Sequence, residues 1–332
     1  MRAFVVDESQ RAGVREWPEP VVATDEVLVR PIRVGLCGTD LELIDATIDP
    51  AYVRYPLVLG HEWVGRLGEA ITSIGPAGTL VVVEGVVPDG VCEACRRGES
   101  NLCSIYEEIG FTRPGALATS VSVPTFLVHR IEDSVEVDDA VLVEPMAVVW
   151  RALTRVPLRE GLRVAVIGDG TVALLAAHLV QTFSPTSTTL IGRRVEQAEL
   201  ARRAGADEFV TATSKEFDLV IEAEGSGDAV SSALDHCARG GMVILLGLPP
   251  HGTTVRFAPD DLVNSDQIVQ GSFSYTRRAF ADVVDRLNAG TLRPGFLVTH
   301  RFSLDEVDAA VATLRGGASN EVRGKVVIDL ER

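Results

Sequence analysis

The sequence predicts an α/β protein of two domains, a β-rich domain and a doubly wound parallel sheet flanked by helices. Its length of 332 residues exceeds what one core usually spans. Residues 1–150 are rich in β-branched residues separated by Gly, Pro and Asp, with few helical repeats. From about residue 160 to 270, short apolar runs alternate with helical patterns, as in a parallel sheet covered on both faces.

In the first domain Arg2–Val6, Glu26–Val34, Trp63–Gly68, Thr79–Val83 and Ala118–Val123 read as strands, because apolar and β-branched residues run between turn formers. In the second, the apolar runs Arg163–Ile167, Ser187–Ile191, Asp218–Ala223 and Met242–Leu246 read as buried strands. Val172–Phe183 and Val195–Ala204 between them read as helices, the former with an apolar face and the latter carrying Glu and Arg. The end of the chain predicts helices at Arg278–Ala289 and Leu304–Arg315 and a strand at Gly324–Leu330, returning to the first domain. The expected domains are 1–150 with 271–332, and 151–270.

Hydrophobic residues at 46% and charged residues at 23% describe a soluble globular chain. Against 31 basic residues stand 47 acidic ones, a net charge of -16, which excludes nucleic acid and anionic membranes as general partners. Five cysteines are too few and too odd a number for a disulfide framework, and three of them crowd into Cys92–Cys103, which points to metal. No apolar core of a secretory signal occurs in residues 1–30, and no apolar run reaches 18 residues. A reducing, cytoplasmic location is expected. Lysine occurs only at Lys215 and Lys325, which reads as a codon bias toward arginine.

Strand Arg163–Ile167 runs into Gly168-Asp169-Gly170-Thr171-Val172-Ala173 and then a helix. This is G-x-G-x-x-A in the strand–turn–helix setting that gives it meaning. Gly168 permits the turn, Gly170 lets backbone approach a pyrophosphate, and Ala173 allows close helix–strand packing. The helix N-terminus at Thr171 and Val172 offers free N–H groups to phosphate. At the end of the next strand, where NAD sites usually carry a carboxylate, stands Gly192-Arg193-Arg194. Room at Gly192 and two guanidinium forks suit a 2′-phosphate, so NADP is expected over NAD. The ordinary alternative is a pair of surface arginines, one bonded to Glu196.

Cys37, the pair His61-Glu62, and Glu144 offer one thiolate, one imidazole and two carboxylates. That set can hold a catalytic zinc with three protein ligands and one open position. Which of Glu62 and Glu144 binds directly is left open. A second group, Asp89, Cys92, Cys95 and Cys103, supplies four ligands for a closed structural zinc site. A metal-free lobe held by hydrogen bonds and a redox-active Cys-x-x-Cys pair are its alternatives.

These motifs, taken in order, resemble the zinc-dependent medium-chain alcohol dehydrogenases over essentially the whole length. Cys37-Gly38-Thr39-Asp40, Gly60-His61-Glu62, the Asp89–Cys103 lobe, Glu144-Pro145, Gly168–Ala173 and Gly205-Ala206-Asp207 carry the resemblance. It implies a GroES-like (chaperonin-10-like) catalytic domain with a Rossmann domain inserted before its last segment. Glu144-Pro145 is similar to the sorbitol, glucose and cyclitol dehydrogenase branch, as is the stretch Gly110–Gly115 to cyclitol dehydrogenases. Asp89 departs from the family's usual cysteine, and Gly192 from its usual acidic residue.

The resemblance implies hydride transfer between NADP(H) and a secondary hydroxyl or ketone, with zinc polarising the substrate oxygen. Cys37 and His61 then serve the catalytic metal, Thr39 accepts the hydroxyl proton, and Glu42 stands where relatives often carry a relay residue. Substrates in keeping are small polyhydroxylated molecules: a sugar, a polyol, or a cyclitol or aminocyclitol. A threonine-type or simple secondary alcohol dehydrogenase is the alternative, and a non-catalytic NADPH-binding sensor on the same scaffold a further one. A homodimer or homotetramer is expected.

Overall fold

The computed structural model describes residues 1–8, 11–316 and 321–331. Backbone contacts divide the chain into two units, the first comprising Met1–Glu144, Thr276–Ser319 and Lys325–Arg332, the second Pro145–Tyr275 and Asn320–Gly324.

The first unit is built on a sheet whose hub is the long strand Glu26–Leu36. It pairs antiparallel with Glu62–Leu67, Val121–Pro124 and Lys325–Asp329. Leu80–Val83 and Val128–Arg130 extend the sheet beyond Glu62–Leu67, and Val298–Ser303 extends it beyond Lys325–Asp329. Inward residues such as Val27, Val29, Val34, Trp63 and Val326 are buried together. Each contributes about 1.5–3 kcal/mol relative to exposure. The register sets Gly35 opposite Glu62 on one side and Val327 on the other.

The strand expected at Ala118–Val123 begins only at Val121, because Ala118 makes an isolated bridge to Ala3 instead. Helices also arise where β-rich composition predicted few, among them two that bear on the site. Gly38–Ile44 starts at Cys37, and the Asp40 carboxylate accepts the Cys37 N–H at 2.9 Å, closing a capping box. Val143–Thr154 carries Pro145 in its first turn, where the missing N–H costs nothing. The chain crosses from one unit to the other inside that helix, so no turn residues mark the division. Strand Val298–Ser303 escaped notice because its partly exposed residues are mostly polar.

The second unit holds a six-stranded parallel sheet in the order Glu208–Val210, Ser187–Ile191, Arg163–Ile167, Phe217–Glu222, Cys237–Leu245, Ile268–Gly271. By position in sequence this is 3-2-1-4-5-6, the Rossmann order that reverses at its first strand. Helix Thr171–Val180 is buried on nearly all sides, and a 3-10 turn at Gln181–Phe183 completes the segment expected as one helix. Val195–Gln197 is likewise a 3-10 turn leading into helix Ala198–Arg203. Among the described residues no helix is long and apolar enough to cross a membrane.

Candidate active site

Cys37, His61 and Glu62 come together in the first unit, their ligand atoms all within 4.8 Å of one another. Cys37 ends the hub strand as N-cap of the following helix, while Glu62 opens the neighbouring strand. The Cys37 Sγ lies 3.2 Å from His61 Nε2. The other ring nitrogen, Nδ1, lies 3.6 Å from an oxygen of Asp40, a carboxylate with no solvent exposure. Burial lowers the basicity of His61, but Cys37 and Asp40 more than offset this and raise its pKa well above the ordinary value.

Glu62 is paired with Lys325, itself only 1% exposed. The pair crosses Gly35: a Cβ there would stand 2.5 Å from Lys325 Cε and 2.6 Å from Glu62 Oε2. Burial depresses the Lys325 pKa, yet Glu62 and Cys37 more than offset it, so the ammonium stays charged.

Glu144 stands outside the triplet of close ligand atoms but within its field. Burial, reinforced by the charge on Glu62, pushes its carboxyl well above the usual range. Thr39 lies in the first turn of helix Gly38–Ile44, partly exposed, with no side-chain hydrogen bond among the described residues. Glu42 is on the exposed side of that helix and makes no bond to the group.

Asp89, Cys92, Cys95 and Cys103 also bring their ligand atoms within 4.8 Å of one another. Cys92 caps the short helix Glu93–Arg96, which carries Cys95. Asp89 Oδ1 accepts the N–H of Val91 at 2.9 Å and of Cys92 at 3.0 Å, and the Asp89 N–H reaches Cys103 Sγ at 3.3 Å. Those two amides hold the Asp89 carboxyl well below the usual range, ready as an anionic oxygen ligand. All five cysteines are free, Cys237 being buried among the sheet residues of the second unit.

In the second unit Gly168 turns the chain with φ +122°, and a Cβ there would meet Ala223 backbone at 3.1 Å and Ala173 Cβ at 3.3 Å. Gly170 caps helix Thr171–Val180 and faces open space, as backbone approach by a phosphate requires. Gly192 departs from expectation. The space above it is taken by Asp169, whose Cβ would stand 2.7 Å from an added one. The Asp169 carboxylate accepts the backbone N–H of Arg193 at 2.8 Å and of Arg194 at 2.9 Å. It also takes the Arg194 fork, at 3.1 Å from Nε and 2.7 Å from Nη2. Arg194 therefore pairs with Asp169 rather than Glu196. Arg193 is exposed and lies 3.3 Å from Glu224. Buried Gln197 ties this turn to the segment before Lys325, donating to the carbonyls of Asp169 and Arg323, both at 2.7 Å.

The alcohol dehydrogenase GroES-like domain family matches residues 23–133, and the glucose dehydrogenase C-terminus family matches residues 137–327. The chain belongs to the zinc-dependent medium-chain alcohol and polyol dehydrogenases. The dehydrogenase is 30% identical to the L-threonine 3-dehydrogenase of Streptomyces coelicolor, covering 99% of both chains. It is 29% identical to the sorbitol dehydrogenase of Bacillus subtilis, covering 94% of this chain and 92% of that one. A protein of Sinorhizobium meliloti 1021 described as a zinc-binding dehydrogenase, bound to NADP, superposes with a TM-score of 0.90 at 26% identity, covering 99% of both. As a member of this family the dehydrogenase is an oxidoreductase acting on CH–OH groups.

The dehydrogenase's donor set fits zinc. With Zn–S and Zn–N bonds of ordinary length, a tetrahedral ion sets its sulfur and nitrogen ligands about 3.5 Å apart, close to the 3.2 Å between Cys37 and His61. Asp40 is placed to hold the His61 tautomer that offers Nε2. Two residues escaped sequence reasoning. Asp40 was legible as the fourth residue of the Cys37 capping box. Lys325 was visible as a rare lysine but carried no motif.

Proposed function

We propose that the dehydrogenase transfers a hydride between NADP(H) and a secondary hydroxyl or ketone of a small polyhydroxylated substrate, with zinc held by Cys37, His61 and Glu62. The proximity of those three ligand atoms carries the reading. Bound zinc supplies Lewis acidity toward the substrate oxygen.

The protein's own groups divide the remaining work. Asp40 orients His61, and Lys325 directs the Glu62 carboxylate. Thr39, its hydroxyl uncommitted, accepts the substrate proton and passes it outward, with exposed Glu42 as a further acceptor. Glu144, in the field of Glu62, is a second carboxyl group that, once ionised, can replace Glu62 or orient water. Asp89, Cys92, Cys95 and Cys103 hold a second, structural zinc. Gly168, Gly170, Thr171 and Val172 receive the pyrophosphate. Gly192, Arg193 and Arg194 border the 2′-phosphate, with Asp169 as the group that fixes Arg194. NADP in the Sinorhizobium structure supports this cofactor.

Oxidation of a β-hydroxy amino acid is the second reading, supported by the threonine dehydrogenase relatives. Self-association as a homodimer or homotetramer is supported by the edge strand Ile268–Gly271, where Ile268 and Val269 are exposed. The free thiols suit a reducing cytoplasm. Metal analysis with an NADP-reduction assay over sugars, polyols, cyclitols and L-threonine tests the whole. Turnover that persists after zinc removal would sink it.

A further inference from the structure

One carboxylate within the field of His61, Glu108, has no ion-pair partner among the described residues. Glu107 and Glu108 form a short strand paired with Val86–Val87, so their side chains point to opposite faces. Glu107 takes both nearby cations, Arg54 at 3.2 Å and Arg113 at 3.6 Å. Glu108 takes none, and its carboxylate makes no hydrogen bond or ion pair among the described residues. Its backbone, in contrast, is fixed. The Glu108 carbonyl accepts the N–H of Thr112 and Arg113, both at 2.9 Å, and the Glu108 N–H donates to Thr112 Oγ1 at 2.8 Å.

This turn is locked to the His61 loop. Phe111 packs on the His61 ring with centroids 5.2 Å apart. A Cβ on Gly115 would stand 2.4 Å from the Leu59 carbonyl oxygen, so the two segments lie backbone against backbone. Glu108 is consequently held on the side of His61 and Glu144, and the fields of all three overlap. Burial pushes the Glu108 carboxyl up to about 7 even though His61 opposes the rise. Tyr106, two residues earlier, lies within the field of Glu108. The buried ammonium of Lys325 is committed to Glu62.

A carboxylate on a fixed backbone, within the field of His61 and Glu144, with no ion-pair partner among the described residues and with the Tyr106 ring in its field, is complementary to an ammonium group. We propose that Glu108 is a substrate-binding residue that selects an amino-bearing polyol or cyclitol, pairing with its ammonium group. This deepens the reading of the same site given above and rests on it.

The test uses zinc-loaded enzyme with NADP and alcohols paired to differ in one amino group. The pairs are 2-amino-2-deoxy-D-glucitol with D-glucitol, and trans-2-aminocyclohexanol with trans-cyclohexane-1,2-diol, each amine also as its N-acetyl derivative. Turnover and binding by calorimetry are both read. The amine member should be preferred in kcat/KM by about tenfold or more, and acetylation should abolish the preference. E108Q should bring the ratio within a pair close to one, and E108D should retain a preference of the same sign. A hydroxyl member favoured over its amine, or a preference that survives in E108Q, overturns this inference and leaves the proposed function standing. Neither turnover nor binding of any member of either pair overturns this inference too. Absence of turnover across the wider alcohol panel removes the proposed function as well.

Discussion

Lys325 pairs with Glu62 across the bare backbone of Gly35. The three residues come from three adjacent strands of one sheet, so backbone register fixes the pair. Removing the cation strands a buried carboxylate, which typically costs about 3–5 kcal/mol. K325M should lower the melting temperature and the zinc content together. If zinc content holds at one catalytic equivalent, the pair does not position Glu62.

Gly35 gives a second test of the same relationship. G35A adds a carbon where only about 2.5 Å is available, inside a central strand that cannot shift without breaking two ladders. Activity should fall more steeply than stability, because the Lys325 and Glu62 side chains can yield while the backbone stays folded. Unchanged kcat with wild-type zinc content would refute this.

C37S replaces the thiolate with a weak oxygen donor. Catalytic zinc and turnover should both be lost, while NADPH binding, followed by its fluorescence, should persist because the glycine turn lies in the other unit. Substituting Arg193 and Arg194 by Ala should weaken NADPH by about tenfold or more relative to NADH. An equal effect on both cofactors would argue against NADP.

Asp169 makes a pH-dependent contribution to stability. Burial alone would raise its pKa, but Arg194 and the two amides more than offset burial and hold it below the ordinary value. Folding therefore favours the ionised form. The stabilisation is present above the unfolded pKa of about 3.9 and is lost as pH falls through the lower folded value. In urea melts, D169N should be less stable than the wild type at pH 7, with the gap narrowing below about pH 4. A gap that stays constant would mean that the carboxylate's charge is not what matters.

At the second cluster, D89C replaces a carboxylate oxygen with a softer thiolate ligand. Zinc should leave this variant more slowly on titration with a chelator, provided all four side chains hold metal. Loss of zinc at the same rate would place Asp89 in the turn alone.

The sequence alone was enough for the four central strands of the parallel sheet, since they are short apolar runs that need no partner to be recognised, whereas the partly exposed edge strands Glu208–Val210 and Ile268–Gly271 escaped it. It also marked Cys37, His61, Glu62 and the Asp89–Cys103 lobe, whose residue types are uncommon enough in such spacing to stand out. Tertiary structure decided the rest. Helix Val143–Thr154 was hidden because it spans the division between the units. Arg194 read as a free fork, yet Asp169, 25 residues earlier, occupies it. Lys325, 263 residues beyond Glu62, looked like an accident of composition until strand pairing brought it to Glu62. Motifs are written in local spacing, whereas the partner of a buried charge is set by sheet register, and register is a property of the folded chain.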